Sequence, residues 1–136
     1  MISLIYGPKG TGKTKIILDQ INDSAKKAKG NVVFIAKDTG YSVSIDFAVK
    51  CVYASEFGIN SAEQLRGFVK GIIACNSDVE YLFIDGIARI TNCELKELDT
   101  LFADLEDIAN NNKLKLILTI SSTLEDMPDF IAKYTK

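Results

Sequence analysis

The chain predicts an α/β fold, a five-stranded parallel sheet with helices on both faces. Three observations carry this. Apolar strand-like runs alternate with amphipathic helical patterns along the whole length. The runs are continuously apolar rather than alternating, which marks strands covered on both faces. The length, 136 residues, suits one domain built on one core, spanning 1–136.

Taken in order, ISLIY (2–6) is a short β-branched run ended by glycine, a buried first strand. From Lys13 the pattern becomes helical, with Ile17, Ile21, Ala25 and Ala28 on one face, until Gly30 stops it. VVFIA (32–36) is the second strand. KCVYA (50–54) is the third, and its Lys50 and Tyr53 place it near a sheet edge. The intervening residues 37–49 barely suffice for a crossover, so a short or imperfect helix is expected near 42–49. Ser61 and Gln64 form a capping-box signal for a helix with Leu65, Phe68, Val69 and Ile72 inward. YLFID (81–85) is the fourth strand. Thr91 and Glu94 give a second capping-box signal, opening one long helix with Leu95, Leu98, Phe102, Leu105 and Ile108 in a stripe. Asn110 to Asn112 turn the chain into the fifth strand, LKLILTI (114–120), and a short tail packs Phe130, Ile131 and Tyr134 back on the body.

Composition narrows the function. The net charge of −2 points to neither nucleic acid nor a membrane surface. The longest apolar runs are far shorter than a membrane span and no signal-peptide pattern precedes the first strand, so a cytoplasmic protein is expected. Cys51, Cys75 and Cys93 are odd in number and widely spaced, unlike a disulfide framework or a metal-ligand set. The chain has no histidine, which removes imidazole acid–base catalysis and histidine metal ligation.

The octapeptide GPKGTGKT, residues 7–14, follows the first strand directly and opens the first helix. Its spacing fits G-x-x-x-x-G-K-[ST], the phosphate-binding loop. Gly7, Gly10 and Gly12 let the backbone curl so that its N–H groups converge on phosphate oxygens, with Pro8, Lys9 and Thr11 filling the loop between them. Lys13 supplies a point charge for the β- and γ-phosphates, and the Thr14 hydroxyl is suited to Mg²⁺. The helix that follows aims its positive end at the same place. Asp85 closes the apolar strand YLFI and so reaches the carboxyl edge of the sheet, where α/β proteins bind ligands. In proteins with such a phosphate-binding loop an aspartate at this place holds Mg²⁺ through water, a role the motif implies for Asp85; the alternative is an aspartate capping a turn with Gly86.

With these two motifs the chain resembles the P-loop NTPases, and among them the RecA-like and AAA-type ATPases, over about 120 residues from the first strand through LILTI. The resemblance implies the three-layer P-loop NTPase fold with sheet order 3-2-4-5-1, with ATP and Mg²⁺ as cofactors. AAA-type enzymes place a catalytic glutamate directly after the strand-terminal aspartate; here that residue is Gly86. In the RecA-like pattern the water-orienting carboxylate follows the second strand, which corresponds to Asp38 of VVFIAKD; Asp38-Thr39-Gly40 is also a turn signal in its own right. Glu56 is the next carboxylate within reach of the site. The polar end of the fifth strand lies where these ATPases sense the γ-phosphate, which implies that role for Ser121, with Thr119 as the alternate; a strand-end hydroxyl satisfying backbone is the plainer account. Arg66 and Arg89 are the only arginines. Arg89 could serve a neighbouring subunit's nucleotide as an arginine finger, or stand as an exposed charge. The lysines at 26, 27 and 29 end the first helix, where cations suit the dipole, and imply no nucleic acid.

The function implied is a Mg–ATP-binding protein, a slow or partner-stimulated ATPase in which Lys13 and the loop neutralise charge, Thr14 and Asp85 hold the metal, and Asp38 orients water. Its partner would be an unidentified protein or a second copy of the chain. The alternative is a nucleotide-dependent switch without turnover. A small-molecule or nucleotide kinase is weaker, because kinases bring several arginines over the phosphates.

Overall fold

A computed structural model describes residues 1–40 and 44–135. Five strands, β1 (Ile2–Gly7), β2 (Asn31–Ala36), β3 (Lys50–Tyr53), β4 (Val79–Ile84) and β5 (Lys115–Ser121), form one sheet. All four strand pairings are parallel. The hydrogen-bonded order is β1-β5-β4-β2-β3, which reads 3-2-4-5-1 from the opposite edge. β2, β4 and β5 lie inside the sheet and are its most continuously buried strands, as their apolar runs require.

Helices cover both faces. On one, Ile17 and Ile21 of α1 (Lys13–Lys27) pack against Phe34, Tyr81, Phe83 and Ile117. On the other, α2 (Ala62–Cys75), α3 (Ile87–Thr91), α4 (Asp99–Asn111) and α5 (Asp129–Ala132) bury Leu65, Ile90, Phe102 and Ile131 against Ile35, Leu82, Ile84 and Leu118. Each such side chain taken fully out of water contributes on the order of 1.5–3 kcal/mol. Ser61 caps α2 by accepting the Gln64 N–H at 3.2 Å, and Gln64 Oε1 accepts the Asn60 N–H at 2.7 Å.

Two expectations need correction. The long helix from Thr91 is three pieces. α3 ends at Asn92, whose φ of 55° is left-handed; the capping box joins Glu94 to Glu97 around a 3-10 turn, Leu95–Glu97; α4 then starts at Asp99. Thr91 is no cap: its hydroxyl donates back to the Ile87 carbonyl at 2.9 Å. The second concerns the β2–β3 connection. Residues 42 and 43 lie outside the described residues and Ser44 is in 3-10 conformation, so the imperfect helix expected over 42–49 does not extend through 45–49, which form turns. Asp46 Oδ1 accepts the Ala48 N–H at 2.9 Å, and the Asn22 side chain on α1 clamps the segment through the Ser44 carbonyl (2.8 Å) and the Asp46 N–H (2.9 Å). An aspartate competing for nearby backbone N–H groups favours a turn over a helix.

The tail closes over β1. Phe130 and Tyr134 pack on Phe102 with ring centroids 5.6 Å apart in both pairs, and the Leu4 N–H donates to the Tyr134 carbonyl at 3.0 Å. No helix among the described residues is long and apolar enough to cross a membrane.

Candidate phosphate-binding cleft

The loop between β1 and α1 hangs from an edge strand whose last pairing is Gly7 with Ser121. The Ser122 N–H extends that ladder onto the Gly7 carbonyl at 3.0 Å, so the start of the loop is fixed to the end of β5. Gly10 and Gly12 have φ of 85° and 86°, conformations that side-chain-bearing residues avoid. Thr11 Oγ1 and Lys13 Nζ both donate to the Pro8 carbonyl, each at 2.7 Å, and brace the loop across its base. Gly12 is the N-cap of α1 and gives its first turn no side-chain hydrogen bond; that turn carries no acidic residue. α2 and α4 do carry an acid there, Glu63 and Asp99. The N-terminus of α1 therefore keeps its positive end uncompensated, the arrangement that suits an anion.

Beside the loop lies a cleft of about 230 Å³. Lys9, Gly10, Gly12, Lys13 and Thr14 form one wall, Asp85 and Gly86 come from the end of β4, and Arg89 from α3 just beyond it. Thr119 and Ser121 of β5 lie between these walls. Three cations, Lys9, Lys13 and Arg89, thus line it against one carboxylate, Asp85, in a chain whose net charge is negative.

Asp85 is 5 % exposed and held from β5: Thr119 Oγ1 donates to its Oδ1 at 2.5 Å and accepts the Gly86 N–H at 2.7 Å. The neighbouring register pairs Ile84 with Leu118, which brings the next residues, Asp85 and Thr119, side by side. With its proton on Asp85 and a lone pair on Gly86, the Thr119 hydroxyl positions the carboxylate rather than reaching for a ligand. Ser121 is exposed and also borders a second cavity of about 450 Å³ beyond α3.

Asp38 and Glu56 are not among the residues lining the cleft, and both are exposed. Asp38 lies beyond the end of β2, which β4 and β5 separate from β1; the Lys37 carbonyl beside it accepts the Ser55 N–H at 3.0 Å. Glu56 sits in a 3-10 turn, Ala54–Phe57, after the edge strand. Arg89, by contrast, faces the cleft of its own chain. Among the described residues no group of three or more His, Cys, Asp or Glu converges as a metal cage. No family model matches the chain, and no curated protein matches it.

Proposed function

We propose that the chain is a P-loop nucleotide-binding protein of RecA-like type that takes Mg–ATP and hydrolyses it slowly or on stimulation by a partner. One observation carries this: Lys13 and Thr14 at the uncompensated N-terminus of α1 share a cleft with the buried Asp85, and cations outnumber carboxylates in its lining. The loop N–H groups and Lys13 Nζ, released from the Pro8 carbonyl, hold the β- and γ-phosphates. Thr14 and Asp85 offer hard oxygen donors for Mg²⁺, which needs only one or two carboxylates when phosphates complete its shell. When bound, the metal would neutralise charge on the phosphates; Thr119, by donating to Asp85, fixes the carboxylate that would hold it.

Calorimetric titration with Mg–ATP tests the reading. Lys13→Ala is expected to weaken binding by about 1.5–3 kcal/mol, the scale of a charge-assisted hydrogen bond, with the fold intact. Equal affinity in the variant and the wild type would remove the phosphate-loop assignment.

A second reading, a nucleotide-dependent switch without turnover, is favoured by Asp85 being the sole carboxylate in the cleft lining. Asp38→Asn distinguishes the two. If Asp38 orients water, the variant loses about 10²-fold in kcat at unchanged nucleotide affinity. Phosphate release no faster in the wild type than in Lys13→Ala removes slow intrinsic hydrolysis and favours the switch, and Asp38 is then a turn residue.

A further inference from the structure

We propose that Arg89 binds the terminal phosphate of the nucleotide within its own chain, with its guanidinium lying against Gly86. The proposal rests on the nucleotide-binding reading above and deepens it. Gly86 has φ 73°, caps α3, and accepts the Ile90 N–H at 3.0 Å. Arg89, three residues on, returns to the same side of this turn. A Cβ built on Gly86 would lie 2.8 Å from Nη2, 2.9 Å from Nε and 3.2 Å from Cζ of Arg89. The guanidinium thus lies close over the Gly86 backbone, beside Asp85 at the end of β4.

Arg89 is exposed, and among the described residues no carboxylate lies within ion-pair distance of it. It enters the cleft from the β4 side, across β5 from the loop that holds Lys13. Arg89 stands across the cleft from the loop and the α1 N-terminus, so of a phosphate chain seated on that loop the group furthest from it is the one offered to Arg89. The planar fork of donors suits two phosphate oxygens at once. A diphosphate keeps its loop contacts and does not reach it. Arg89 thus becomes the element that tells triphosphate from diphosphate, supplied in cis rather than by a neighbouring subunit.

The test compares affinities for a non-hydrolysable ATP analogue and for ADP, both with Mg²⁺, in the wild type, Arg89→Ala and Arg89→Lys. Arg89→Ala is expected to lose roughly tenfold or more in triphosphate affinity, with ADP affinity unchanged. Arg89→Lys should recover part of that loss through its charge. Wild type that binds both nucleotides, with the same preference in Arg89→Ala, overturns this proposal alone. Wild type that binds neither overturns it together with the nucleotide-binding reading. An equal mixture of Arg89→Ala and Lys13→Ala proteins that regains triphosphate affinity would show the arginine acting across an interface, and would overturn the in-chain assignment.

Discussion

Thr119 shows how much a single hydroxyl can organise. It is 2 % exposed, and its two hydrogen bonds tie the carboxylate of Asp85 and the N–H of Gly86 to the neighbouring strand. Thr119→Val keeps the shape and deletes both bonds, leaving a buried N–H without its acceptor. The expected cost is about 1–3 kcal/mol in urea unfolding, together with weaker Mg²⁺-dependent nucleotide binding as Asp85 loses its orientation. Unchanged stability and Mg²⁺ dependence would show the bond to be incidental. The loop residues were legible beforehand because their chemistry is local: eight consecutive positions carry the whole pattern. For Thr119 the sequence offers an alternate phosphate sensor or a strand-end hydroxyl satisfying backbone, and the Gly86 N–H bears out the second. Its hold on Asp85 is hidden because these partners lie more than thirty positions away and meet it only through the β4–β5 register. The visible signal was a hydroxyl inside an apolar strand. Arg89 was illegible for a similar reason: its direction follows from the left-handed turn at Gly86.

Elements long enough to show a period were readable, and the short ones were not. α1, α2 and the five strands fall within a few residues of their expected positions, because each buries a regular apolar stripe or run. α3 spans five residues, little more than one turn, so no period can announce it. The junction of β2 and β4 depends on a carboxylate that periodicity also misses. Glu80 Oε1 accepts the N–H groups of Lys29 (2.9 Å) and Gly30 (3.0 Å), pinning the end of the α1–β2 link to β4. These two bonds, the one from Gly30 foremost, hold the Glu80 carboxyl below its ordinary range. A depressed folded value means that Glu80 stabilises above the pKa of the unfolded chain, and that this contribution is lost as pH falls through the lower folded value. Glu80→Gln should therefore flatten the acid limb of the stability–pH curve; a superimposable limb in the variant would show that the two bonds do not favour the ionised form.

At the scale of the molecule, the sheet has two edges managed differently. β3 is short and begins with Lys50, whereas β1 is partly covered by the tail that follows β5. Ile131 anchors that tail at 0 % exposure, so Ile131→Ala is expected to destabilise the protein by about 2–5 kcal/mol. Because the tail also bonds Leu4 of β1, the Leu4 amide should lose hydrogen-exchange protection in the same variant, ahead of the β2 and β4 amides. Equal loss across all strands would mean that the tail supports the sheet as a whole and not this edge.

The position of β1 also sets an order of events during synthesis. Its only strand neighbour is β5, and Ile2 waits for Leu116. The ribosome delivers β1 well ahead of its partner, which follows seconds later at about 5–20 residues per second. Until then β2, β3 and β4 can pair among themselves, but the loop that follows β1 has no strand to hang from. A nascent chain stalled before residue 115 would carry every residue of the GPKGTGKT loop and Asp85, and still lack the cleft between them. If the chain takes nucleotide as proposed, capture waits for β5, so that ATP should rescue a slow-folding variant that includes β5 and do nothing for a chain stalled short of it.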